Sequence, residues 1–276
     1  MKNILVIAEK EIRDGIRNRW ILATALLLGG LSLGLAFLGS APVGEVGASR
    51  LAVTVVSLAS LMILLGPLIA LMLSFDAIVG DVERGTLLLL LSYPLSRGQL
   101  ILGKFAGHVS IFSAAVVMGY GVAALAITLS GEEIAAGEWG VFFGLVGSSI
   151  MLGAAFISMG YLVSVLVKER QTAAGIAIGL WLLFALLYDM MLLGILVADK
   201  GATLRPDLFN VLLLVNPADA FRLFNLSGLD SISALSGMTA LAGQADFSRW
   251  TAMLALLAWV VAPLGLTGML FRNKEI

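Results

Sequence analysis

Apolar positions in this chain run in long unbroken blocks. Asp, Glu, Lys and Arg are absent from residues 20–44, 51–75, 105–131, 139–167 and 250–271, and residues 171–198 carry a single charge, Asp189. A helix needs about 20 mostly apolar residues to cross the roughly 30 Å hydrocarbon core of a bilayer, at about 1.5 Å per residue. One Asp, Lys or Arg at its centre costs on the order of 2.5–3.5 kcal/mol of insertion free energy. Six such blocks predict an all-α integral membrane protein with six transmembrane helices, folded as a single domain over residues 1–276.

The charges between the blocks predict topology, because short cytoplasmic segments are enriched in Lys and Arg. With the N-terminus inside, the inner segments hold Lys2, Lys10, Arg13, Arg17, Arg19, Arg84, Arg97, Lys104, Lys168, Arg170, Arg272 and Lys274. The outer segments hold only Arg50, Lys200, Arg205, Arg222 and Arg249. Both termini are therefore expected in the cytoplasm. Residues 131–138 carry Glu132, Glu133 and Glu138 with no basic residue, which suits the outside.

Residues 1–19 mix acids with bases and precede an apolar run too long for the core of a signal peptide. Leu5, Ala8, Ile12 and Ile16 fall on one helical face with Ile4 beside them, and Lys10, Arg13, Asp14 and Arg17 on another. This pattern predicts an amphipathic helix resting on bilayer lipid at the inner interface.

The inner loop, residues 76–104, is unlike its neighbours. The leucines at 87–91, Leu87 and Leu90 among them, are far too few to span, and charges flank them: Asp81, Glu83 and Arg84 before, Arg97 and Lys104 after. A short apolar helix with charged ends suits either a membrane surface or a soluble partner. Pro94 should end it, since the residue before proline is pushed out of the α region. A second short segment is then expected from Arg97-Gly98 to Gly103-Lys104. Residues 98–104 also read G-x-x-x-x-G-K, the start of a phosphate-binding loop. Phe105 stands where Ser or Thr would hold Mg²⁺, and no strand precedes it, so no nucleotide site is expected here.

Asp81-Val82-Glu83-Arg84-Gly85-Thr86-Leu87, then Tyr93-Pro94-Leu95-Ser96-Arg97 and Gly103-Lys104, resembles the signature loop of ABC-2 type transporter permeases. Residues 8–14 with Arg17 are similar to that family's leading helix, although Leu88 stands where the family commonly has an acid. The resemblance implies a permease of the bacterial inner membrane in which two copies pair with two cytoplasmic ATPase subunits. ATP and Mg would sit on those partners, with no cofactor and no catalytic residue on this chain. It further implies that Asp81, Glu83, Arg84, Gly85, Thr86, Leu87, Leu90, Pro94 and Arg97 form the element that couples to the ATPase. Lys168-Glu169-Arg170, between the fourth and fifth spans, reads either as a second inner contact or as a topology-setting charge cluster.

Composition narrows the field. The chain is 60% hydrophobic and 13% charged, against roughly 45–50% and about 25% in soluble domains. Its net charge of −1 argues against a broad nucleic-acid surface, and zero cysteines exclude disulfides, thiolate metal sites and a cysteine nucleophile. The lone histidine, His108, reads as a hydrogen-bonded interfacial group, since a metal site needs several ligands. Asp189 lies about 27 Å up its helix from the inner end, near the outer headgroups. With Met190 it is a candidate outer contact for substrate or partner, and Met190-Met191 could also serve as a soft-metal pair.

Residues 199–249 form the only sizeable outer segment. Asn216-Pro217 reads as an N-cap and first helical residue, opening a helix that carries Phe221 and Phe224, and a second short helix is expected over residues 231–241. An apolar cap of this kind suits either a periplasmic partner or the bilayer surface. Gly140-x-x-x-Gly144 and Gly175-x-x-x-Gly179 are candidate close-packing motifs within the bundle or between copies. The rival functions are a general exporter of lipid, drug or polysaccharide, an ion-coupled transporter, and a Ser/His intramembrane enzyme. The last is disfavoured because Ser148 and Ser149 fall at the opposite end of the bundle from His108.

Overall fold

The described part of each apolar block is helical, the form in which a backbone removed from water satisfies its own N–H and C=O groups. The computed structural model describes residues 2–17, 19–38, 50–93, 95–129, 136–199, 206–226 and 248–273, and all regular structure among them is helical. The inner half of the chain order is α1 (Lys2–Arg17), α2 (Trp20–Leu38), α3 (Arg50–Ser74), α4 (Val79–Glu83), α5 (Thr86–Leu91) and α6 (Arg97–Leu129). There follow α7 (Ala136–Leu166), α8 (Arg170–Leu182), a π-helical segment (Leu183–Leu187), α9 (Tyr188–Asp199), α10 (Pro206–Val215), α11 (Pro217–Leu226) and α12 (Arg249–Arg272).

Among the described residues, five helical stretches are long and apolar enough to cross a membrane: Thr54–Glu83, Arg97–Leu129, Gly137–Leu166, Arg170–Ala198 and Arg249–Arg272. The first expected span corresponds to α2, a helix of 19 residues, and the rest of that apolar block lies outside the described residues.

α7 is the central post, packed along α3, α6 and α12, while α6 also carries α1 and α2. Tyr120, Phe112, Phe156, Tyr161 and Phe271 fill the core between them. Two α7 glycines make room for it: a Cβ at Gly153 would collide with the Phe112 ring, and one at Gly160 with Ser74. Buried hydroxyls bond back to their own helices, as Ser74 does to the Ala70 carbonyl and Thr267 to the Pro263 carbonyl, both at 2.8 Å.

Two expectations are corrected. Residues 97–104 are not a separate segment; they are the first turns of α6, a continuous helix of 33 residues, about 50 Å long. Gly103 lies directly against Ile7 of α1, which packs along this end of α6. The outer segment is also not simply a cap, since α11 enters the bundle and packs on α12, α7 and α3. The expected helix over residues 231–241 lies outside the described residues.

Candidate functional site

At the end of the bundle holding α1, α4 and α5, three charges from three elements meet away from solvent. Glu11 (α1), Asp81 (α4) and Lys104 (α6) are only 8%, 6% and 5% exposed. Lys104 Nζ lies 3.1 Å from Glu11 Oε1 and 2.8 Å from Asp81 Oδ2, so one ammonium bridges both acids. Asp81 Oδ1 accepts from Arg84 Nη2 at 3.1 Å and from the Thr86 hydroxyl at 3.0 Å. Behind Glu11, His108 Nε2 sits 3.8 Å from Oε2, and His108 Nδ1 shares a 2.8 Å hydrogen bond with the Tyr161 hydroxyl of α7. Burial pushes the Glu11 carboxyl up, but Lys104 and the neighbouring His108 and Lys10 outweigh it and hold it below its ordinary value.

Glycines let α1 approach. A Cβ at Gly103 would lie 2.7 Å from Ile7 Cβ, and one at Gly107 would lie 2.6 Å from Glu11 Cβ. The packed face of α1 is Ile7, Ala8 and Glu11, rotated from the expected apolar stripe, of which Leu5 and Ile16 remain exposed. Gly103-x-x-x-Gly107 is the sequence signal of this contact: small residues one turn apart beside a charge in an apolar helix mark a groove for another helix.

The inner loop is held from a second side. Ile78 and Val79 donate their backbone N–H groups to the Ser164 hydroxyl at 2.9 and 3.0 Å. Arg170 donates its backbone N–H to Glu83 and its guanidinium to Asp76, each at 2.7 Å. The 168–170 turn and the loop, read separately in the sequence, are thus one assembly, with Glu83, Glu169 and Arg170 lining a shallow cleft.

The expected coupling residues divide by orientation. Asp81 and Leu87 turn inward, and Leu90 and Thr86 are half-buried. Asp81 carries the Lys104 bridge, so its charge does not face outward as the loop pattern suggested. Arg97 also points back: its Nη1 donates to the Phe271 carbonyl at 2.7 Å, closing the last turn of α12. Glu83, Arg84 and Gly85 remain exposed, as do Lys168 and Glu169. Pro94 lies outside the described residues. Outward from α5 stand Leu88, Leu89 and Tyr93, 60%, 67% and 66% exposed, beside a cleft of about 660 Å³ between α1 and α5.

The opposite end holds a second polar cluster. Asp189 pairs with Arg222 at 2.9 Å, and Arg222 also pairs with Asp219 of α11. Asn216 caps α11 by accepting from the Ala218 N–H at 2.9 Å, and its amide donates to the Phe184 carbonyl of the π segment at 3.0 Å. Burial pushes the Asp219 carboxyl up to about 7, with Arg222 opposing. Met190 is exposed, whereas Phe221 is fully buried and cannot meet a partner as expected. Phe224 is half-buried with the Arg249 guanidinium 4.3 Å from its ring centre. Ser148 bonds Asn225 in this outer half, so the Ser/His pair does not form.

These features define a multi-pass helical membrane protein whose inner loop is tied to its spans from two directions. The chain belongs to the ABC-2 family of transporter proteins, whose family model matches residues 5–276. It is a permease subunit of an ABC transporter in the inner membrane. It is 49% identical over 277 residues to the probable ABC transporter permease protein NosY of Pseudomonas aeruginosa, with 100% of both chains covered. It is 45% identical over 278 residues to the protein of the same name from Stutzerimonas stutzeri, with 99% of each covered.

Proposed function

We propose that this chain is the membrane-spanning half of an ATP-driven complex, with two copies bound to two separate cytoplasmic ATPase subunits that hold ATP and Mg. It crosses the membrane six times with both termini in the cytoplasm, as the bias in Lys and Arg placement supports. The likeness to NosY, the membrane subunit of the NosDFY complex, supports transport or conformational work in copper-centre assembly of nitrous oxide reductase. A periplasmic partner then meets the outer end, where Met190 and Phe224 stand.

The observation that carries the reading is the exposed apolar face of Leu88, Leu89 and Tyr93 on a loop otherwise bound firmly into the bundle. An exposed apolar patch rimmed by charge marks a protein- or membrane-binding surface, and a cytoplasmic ATPase is the occupant proposed for this one. Lys10, Asp14, Arg17 and Arg84, which line the same cleft as Leu89 and Tyr93, supply the rim, and that cleft between α5 and α1 receives the ATPase. Co-expression with the ATPase subunit tests this. Leu89→Glu should abolish co-purification of the ATPase while leaving the detergent-solubilised permease folded. Undiminished co-purification and ATP turnover would refute the docking face. Copper content of the reductase in a strain lacking this gene tests the pathway.

A further inference from the structure

We propose that Lys104 is a positioning residue for coupling. It clamps the inner loop to α1, so that a push on the loop reaches the first span through α1. The inference rests on the docking reading above and adds the route by which force leaves the loop.

Removing an ion from water carries a penalty of several kcal/mol, and well-packed apolar residues are often as stable as a buried ion pair. Glu11, Lys104 and Asp81 are therefore poor candidates for simple stabilisation. What they supply is a specific join. A lysine ammonium can pair with two carboxylates at once; here they come from elements 70 positions apart in sequence, Glu11 and Asp81. Asp81 in turn holds Thr86, the first residue of α5, and Arg84. The loop, α1 and the first turns of α6 are thereby one ionic body. Gly103 and Gly107, on either side of Lys104, leave no gap into which α1 could slide.

The join continues into the membrane. α1 ends at Arg17 and α2 begins at Trp20. Between them Arg19 adopts φ 55, with its N–H bonded to the Ile16 carbonyl at 3.0 Å and its carbonyl to the Ala23 N–H at 2.9 Å. These two bonds tie Arg19 to the last turn of α1 and to the first turn of α2. Movement of α1 is therefore handed to α2.

The absence of cysteine makes the test direct. Spin labels are placed through Glu9→Cys on α1, Ser92→Cys after α5 and Phe143→Cys on α7, with one labelled and one unlabelled copy in each ATPase-bound complex. Distances are measured without nucleotide and after trapping with ATP and vanadate. The 9–92 distance should stay constant between states while the 92–143 distance shifts. In Lys104→Met, with the ATPase still bound, the 9–92 distance should become nucleotide-dependent, and Lys104→Arg should restore its constancy. Should Lys104→Met not fold, Glu11→Gln and Asp81→Asn each cut one arm and are read in the same way.

A 9–92 distance that changes with nucleotide in the unaltered bridge overturns the proposal. So does a Lys104→Met complex whose 9–92 distance is merely broadened, equally in both states, because that marks a structural role alone. A motionless 92–143 distance would instead strike down the coupling role of the loop itself, and the clamp's role with it.

Discussion

Arg170, the first residue of α8, donates its backbone N–H to the carboxylate of Glu83 across the inner face at 2.7 Å. An acid at a helix N-terminus balances the partial positive charge there, usually contributing about 0.3–1 kcal/mol. Glu169 occupies the N-cap position without making a side-chain cap, so the loop caps α8 from outside. Glu83→Gln should speed hydrogen exchange at the start of α8 and lower the unfolding temperature slightly, and more than Glu169→Gln does, since only Glu83 adds a hydrogen bond to the same electrostatic balance. Equal effects of the two would show that the cross-loop cap carries no weight.

Gly85 joins α4 to α5 at φ 68, in the left-handed region, with open space where a Cβ would stand. The penalty for a side chain there is thus conformational and amounts to about 1–2 kcal/mol. Gly85→Val should distort the start of α5 and weaken ATPase co-purification, while Gly85→Asn, a residue that tolerates this region, should retain most of it. Indifference to valine would mean the corner is not needed for docking.

The glycines of α7 and α8 should behave oppositely. Gly153 faces the Phe112 ring, so Gly153→Ala overpacks the core and should destabilise by about 1–3 kcal/mol, seen as a lower unfolding temperature in detergent. Gly175 and Gly179 have nothing within 4 Å, so alanine at either should leave the protomer's stability unchanged or slightly raised. If the alanines instead weaken association of two copies, measured by mass in detergent, that face of α8 belongs to the dimer contact.

The outer cluster should respond to pH. Asp219 ordinarily would titrate near 3.8, and burial, helped by the nearby Asp189, raises it to about 7 in the folded chain despite Arg222. Below 3.8 the group is protonated folded and unfolded alike and contributes no slope. Between 3.8 and about 7 the folded state binds more protons, so stability should fall as pH rises. Asp219→Asn should flatten that slope in thermal unfolding followed from pH 4 to 8; an unchanged slope would place the titration elsewhere.

Much of the fold was legible because lipid solvation acts residue by residue. An ionised side chain is expensive in hydrocarbon wherever its helix goes, so charge-free blocks locate helices without knowledge of their neighbours. Capping is equally local: Asn216-Pro217 opened α11 as the pattern required. The site was less legible. The sequence marks His108 as a hydrogen-bonded residue but not its partner, Tyr161, which is 53 positions away. Asp81 looked like an outward charge because nothing adjacent in sequence reveals that Lys104 is aimed at it.

Order along the chain therefore settled which stretches form long apolar helices, where α11 starts, and that a charged loop with a short leucine helix lies between two of them. Packing alone settled that α1 turns Ile7, Ala8 and Glu11 toward α6 instead of the whole expected stripe, that one lysine serves two acids, and that α11 enters the bundle. The physical reason is range. Hydropathy and capping are properties of neighbouring residues, whereas a buried charge is tolerable only beside its counter-charge, and that neighbour comes into being when helices distant in sequence come together.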